Sequence, residues 1–188
     1  TVAGGNGSGS GSNQFTYPNG MAVDASGNLY IADAGNDRVQ KWAPGATEGI
    51  TVAGGNGRGG NANQLNKPAG IALDALGNVY IGDRENHRVQ KWASGATEGV
   101  TVAGGNGSGS NANQLSYPFG VALDVSGNVY VVDESSNLVQ KWAPGATEGV
   151  TVARGNGNGS NSNQFDYAAG IAVDATGNIY VTEREGDR

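Results

Sequence analysis

Val39-Gln-Lys-Trp-Ala-Pro-Gly-Ala-Thr-Glu-Gly-Ile-Thr-Val-Ala-Gly-Gly-Asn-Gly57 returns as residues 89–107 with two changes, Ser94 for Pro44 and Val100 for Ile50. The offset is 50 residues, and the flanking sequence repeats with it. A period of that length suits one supersecondary unit that cannot bury its own apolar face and must stack on neighbours. The 188 residues therefore read as a single stacked array, with units of about 1–50, 51–100, 101–150 and 151–188, rather than as two domains. The chain opens on Thr1 partway through a unit, and the last unit stops at Arg188 where the others continue with Val-Gln-Lys-Trp. That reads as a piece of something longer.

Working outward within one unit, Gly20-Met-Ala-Val-Asp24 is a short strand followed by the turn residues Ala25-Ser-Gly27. Asn28-Leu-Tyr-Ile-Ala-Asp33 is a second strand, rich in types that fit a pleated surface. Ala34-Gly-Asn-Asp37 turns into a third, Arg38 to Ala43, and Pro44 to Gly49 turns into a fourth, Ile50-Thr-Val-Ala53. Connections of about three to six residues are hairpin lengths, so the four strands predict an antiparallel meander. No stretch keeps a helical apolar period, because Gly or Pro interrupts every candidate. The longest connection, Gly54 to Pro68, is dominated by Gly and Asn and reads as a linker. A four-stranded antiparallel sheet per repeat is the blade of an all-β propeller. Ala22, Ala72, Ala122 and Ala172 fall on its innermost strand.

The run from Gly20 to Trp42, Gly-Met-Ala-Val-Asp-Ala-Ser-Gly-Asn-Leu-Tyr-Ile-Ala-Asp-Ala-Gly-Asn-Asp-Arg-Val-Gln-Lys-Trp, resembles an NHL repeat. The match recurs from Gly70 and Gly120, and from Gly170 until the chain ends. The resemblance implies a propeller, commonly six-bladed, with roles from protein or RNA binding to extracellular sensing and, in a minority, lyase chemistry. An extracellular or cell-surface location is expected on that basis. Thr1-Val-Ala-Gly-Gly5 matches a fourth strand, so the alternatives are four blades closing alone, a segment of a larger ring, or a ring built from several copies.

Composition narrows the function classes. A net charge of -6 argues against a nonspecific phosphate-backbone binder, so no nucleic-acid partner is expected. With no cysteine there are no disulfides and no thiolate chemistry. No apolar stretch approaches a membrane span, so no membrane insertion is expected. His87 is the one histidine, which supports neither a His-rich metal centre nor a hydrolytic triad. No cofactor is expected. The Gly-rich tracts lack the Lys-Ser/Thr ending of a phosphate cradle. Asn6-Gly-Ser8, Asn106-Gly-Ser108 and Asn158-Gly-Ser160 have the form of glycosylation acceptors.

Several recurring residues have two readings. Asp33, Asp83, Asp133 and Glu183 end the second strand in each copy and make a ring of carboxylates. Such a ring suits Ca²⁺, but Arg38, Arg88 and Arg188 start the third strand across the same turn, which favours pairing within each blade. Leu138 breaks the pattern and leaves Asp133, beside Glu134, without its Arg. Asp24, Asp74, Asp124 and Asp174 precede Gly-Asn turns and read as turn chemistry. Trp42, Trp92 and Trp142, with Tyr30, Tyr80, Tyr130 and Tyr180, could be platforms for sugars; their fixed strand positions favour packing between blades.

Strand order sends the second-to-third strand turns and the inter-blade loops to one face of the disc. The turns on the opposite face are nearly identical between copies. On the first face they vary: Ala34 to Asp37, Arg84-Glu-Asn-His87, Glu134 to Asn137 and Arg184 to Asp187. The residues before the inner strand vary too, and Phe119 stands where the other copies hold Asn19, Ala69 and Ala169. Loops on a rigid scaffold tend to carry binding residues. The expected site is thus the channel mouth on this face, drawing on Asn19, Arg84, Glu85, His87, Phe119, Asp133 and Glu134, with Asp133 and Glu134 offering negative charge. Drift in unconstrained turns, with Phe119 as a plug, is the plainer alternative. The leading expectation is a non-catalytic scaffold, not an enzyme, that binds or displays a protein or carbohydrate partner on this face. The alternatives are a self-associating cell-surface or filament component and a metal-dependent lactonase- or lyase-like propeller.

Overall fold

The structure, a computed structural model, describes residues 1–154, 165 and 167–183. The turn Arg184 to Asp187, the proposed Arg188 partner of Glu183 and the acceptor at Asn158 lie outside the described residues. Blade 1 is β1 (Pro18–Val23), β2 (Leu29–Asp33), β3 (Arg38–Trp42) and β4 (Ile50–Gly54). Blade 2 is β5 (Pro68–Leu73), β6 (Val79–Asp83), β7 (Arg88–Trp92) and β8 (Val100–Gly104). Blade 3 is β9 (Pro118–Leu123), β10 (Val129–Asp133), β11 (Leu138–Trp142) and β12 (Val150–Arg154). β13 (Ala168–Val173) and β14 (Ile179–Glu183) form a two-stranded fourth sheet. Each four-stranded sheet is an antiparallel meander in chain order, as the hairpin-length turns predict. Single 3-10 turns cover Ala34–Asn36 and Arg84–Asn86, and there is no α-helix among the described residues.

Register decides which side chains meet. In blade 1, Leu29 lies opposite Trp42, Tyr30 opposite Lys41 and Asp33 opposite Arg38. Lys41 Nζ accordingly sits 5.3 Å from the Tyr30 ring centroid. The Asp24 turn is held by its own carboxylate: Oδ1 accepts from the Ser26 and Asn28 amides, both at 2.9 Å, and Oδ2 accepts from Asn28 Nδ2 at 2.8 Å and Tyr30 OH at 3.3 Å. These bonds, the Asn28 side-chain amide foremost, hold the Asp24 carboxyl below its ordinary range. This is the turn chemistry expected from the sequence.

The core lies between blades. Tyr30, Ala32 and Val39 of blade 1 pack on Ile71, Val79, Ile81 and Trp92 of blade 2. The junction recurs with Tyr80 and Val89 against Val121, Val129, Val131 and Trp142. Trp42, Trp92 and Trp142 are each 2 % exposed, so they are core and not platforms. Each donates its indole N–H to Gln40, Gln90 or Gln140.

The inner strands β1, β5, β9 and β13 lie side by side. Ala22, Ala72, Ala122 and Ala172 are on them, but close approach falls on the neighbouring glycines. A Cβ on Gly20 would meet the Ala69 carbonyl oxygen, and one on Gly70 the Phe119 carbonyl oxygen. Among the described residues the Gly-rich connections are not linkers. Arg88 Nη1 and Nη2 donate to the carbonyls of Gly60, Asn61 and Gln64, Gly99 N donates to Ala62 O at 2.9 Å, and Leu65 is fully buried. The loop is pinned to the blade it precedes.

Candidate functional site

In blades 1 and 2 the second-to-third strand turn is anchored by an ionic knot. Asp33 accepts from Thr16 N at 2.7 Å, Asn36 Nδ2 at 2.8 Å and Arg38 Nε at 2.8 Å. Asp83 repeats this with Asn66 N, Asn86 Nδ2 and Arg88 Nε. Each carboxylate is fully buried and committed within its own blade. In blade 3 the guanidinium is missing, since Leu138 occupies its register position opposite Asp133. Asp133 still accepts from Ser116 N at 2.9 Å, while its Oδ1 is buried without a hydrogen-bond partner. Burial pushes its carboxyl up to about 6, against the bonds from Ser116 and Ser136 that favour the charge.

Above these knots a cleft of about 510 Å³ opens where inner strands, turns and inter-blade loops converge. Asn19, Arg58, Lys67, Arg84 and Phe119 line it, with Thr16, Tyr17, Ala34 and Gly35. Lys67 is held with φ 50°, in the left-handed region, although the residue before a proline ordinarily stays extended. Its amide donates to Asp37 Oδ1 at 2.9 Å, and Asp37 Oδ2 accepts from Arg58 Nε at 3.1 Å. Arg84 donates from Nη2 to Glu134 at 2.8 Å, bridging blades 2 and 3, and from Nη1 to Glu85 at 3.2 Å. It also lies 4.9 Å from the Tyr117 ring centroid. Glu85 accepts from Lys67 Nζ at 3.2 Å as well.

The structure thus brings Asn19, Arg84 and Phe119 to one cleft, with Glu85 behind it. Three expected site residues lie elsewhere. Asp133 is 0 % exposed, so it offers no charge to a partner. Glu134 is engaged by Arg84 and is not an open anion. His87 plays the part of Asp37 one blade on: its Nδ1 accepts from Tyr117 N at 3.4 Å, and its ring meets Tyr117 edge-on at 5.0 Å. It is a junction residue rather than a cleft residue. Arg58 and Lys67 were missed, although a comparison of copies marks both. Arg58 stands where the other copies have Ser8, Ser108 and Asn158, and Lys67 where they have Tyr17, Tyr117 and Tyr167. Among the described residues, no three His, Cys, Asp or Glu side chains are grouped to hold a metal ion.

The residues 15–42 and 65–92 match the model of the NHL repeat. No curated protein matches the sequence. Among solved structures, a protein of unknown function from Bacteroides thetaiotaomicron VPI-5482 superposes with a TM-score of 0.69 at 20 % identity, over 89 % of this chain and 45 % of that one. An auxiliary nutrient binding protein from the same organism gives 0.68 at 16 % identity, over 91 % and 46 %. A gluconolactonase from Xanthomonas campestris gives 0.66 at 18 % identity, over 89 % and 56 %. The chain spans about half the length of these structures. Such identities speak for the fold alone, and the same fold carries binding and catalysis in these neighbours. Two units of the chain are thus NHL repeats, and its stacked antiparallel meanders share the β-propeller fold of these neighbours.

Proposed function

We propose that this array is a non-catalytic binding scaffold whose partner, a protein or a carbohydrate, places one small group in the cleft between the inner strands and the second-to-third strand turns. One observation carries the reading. The cleft gathers residues found in only one copy (Asn19, Arg58, Lys67 and Phe119) beside Arg84, which only the fourth copy shares, while most residues that repeat identically are spent on turns, knots and inter-blade cores. A concave site with an aromatic wall and a few convergent polar groups is the usual form of a ligand pocket. Catalysis has no comparable support: His87, the one histidine of the chain, accepts from the Tyr117 backbone amide and does not line the cleft.

Amide NMR spectra recorded during a screen of small organic compounds, acidic, basic and neutral, test the reading. Perturbations should cluster at Asn19, Gly35, Lys67 and Phe119. Perturbations confined to Ala25–Asn28 and Gly45–Glu48 on the opposite face, or none at all, would refute it.

A further inference from the structure

The cleft presents cations, and the acids that hold them lie beneath. Its lining has Arg58, Lys67 and Arg84 and no Asp or Glu, in a chain of net charge -6. The side chains of Arg58 and Lys67 are 55 % and 48 % exposed, whereas their partners Asp37 and Glu85 are 9 % and 25 % exposed. Glu134, beneath Arg84, is 10 % exposed. Arg58 reaches Asp37 through Nε on a half-exposed side chain, which leaves its Nη donors for a ligand. Lys67 Nζ spends one hydrogen on Glu85 and keeps two. Arg84 spends three of its five donors on Glu134 and Glu85, so it is largely neutralised and contributes mainly field. Phe119 supplies an apolar wall beside these donors.

A guanidinium fork matches a carboxylate in plane and spacing, and an ammonium adds a point charge. An aromatic wall at the same site favours a ligand whose body is less hydrated than a bare inorganic ion. We propose that the group taken by the cleft is an organic carboxylate, held by Arg58 and Lys67 with its carbon skeleton against Phe119. Acidic sugars and aryl acids share this chemistry. The inference rests on the cleft being the binding site, and its test separates the two.

Titration calorimetry on the 188-residue chain with glucuronate, phenylacetate, glucose, phenylacetamide and inorganic phosphate tests it, with amide NMR locating each ligand. At least one acid should bind at the cleft at least tenfold more tightly than its uncharged counterpart. That preference should disappear in Arg58→Gln/Lys67→Gln, whose exposed side chains can change without loss of fold, as checked by an unchanged melting curve. Lys67→Gln alone, which leaves the Arg58–Asp37 pair intact, should lose part of it. If the uncharged compounds bind at the cleft as tightly as the acids, the carboxylate inference fails and the binding site stands. Phosphate binding as tightly as either acid would overturn the role of the carbon skeleton and with it the inference. If none of the five perturbs a cleft amide, both the inference and the proposed site fall.

Discussion

Asp133 is where a repeating solution has been given up. Asp33 and Asp83 each face an arginine, and Asp133 faces Leu138 with one buried oxygen unpartnered. Its folded pKa of about 6 lies above the ordinary carboxylate value. The native state therefore holds this proton more tightly than the unfolded chain does. The stability that follows is fully present below about pH 4 and is lost as pH rises through about 6. Chemical denaturation of Asp133→Asn should show a flatter pH profile, with a gain on the order of 2 kcal/mol over the parent at pH 7; an unchanged difference between pH 4 and pH 7 would contradict it. Trp92, 2 % exposed in the first inter-blade core, should cost about 3–5 kcal/mol when changed to Ala, measured by the same denaturation. The knots were legible because the Asp and Arg sit five residues apart across one hairpin and recur. Arg58 and Lys67 were not, because a single exchange inside a Gly-rich loop or before a proline carries no motif or period of its own.

At the scale of elements, the strands were readable almost to the residue, since β-branched and aromatic runs are bounded by Gly, Asn and Asp turns. The inter-blade loops were misread. Their composition resembles a flexible linker, and what orders them comes from far along the chain: Arg88 reaches back 24 to 28 residues to three loop carbonyls. Local pattern carries no trace of such bonds. Asn56 Nδ2 to Asn63 O at 3.0 Å and Gln64 Nε2 to Asn56 O at 3.1 Å brace the loop internally. Hydrogen exchange should find the amides of Gly59, Gln64 and Gly99 protected, as their bonds require; exchange at free-peptide rates would return the loop to linker status. Leu115→Ala, which empties a fully buried loop position, should cost about 2–5 kcal/mol.

At the scale of the whole molecule, both ends of the array leave a blade face uncovered. Met21 is 61 % exposed, while Ile71 and Val121 in the same position are 7 % and 6 %. Tyr180 is 58 % exposed, against 5 %, 6 % and 4 % for Tyr30, Tyr80 and Tyr130. These are the two halves of the junction that recurs inside the chain. The central claim is that stability resides in what repeats and binding in what does not. Resetting the cleft to its sister copies, Arg58→Ser, Lys67→Tyr and Phe119→Ala, tests it in one protein. The account predicts an unchanged stability, within about 1 kcal/mol, together with the loss of glucuronate and phenylacetate binding. A variant that unfolds more readily yet still binds these acids as the parent does would contradict it.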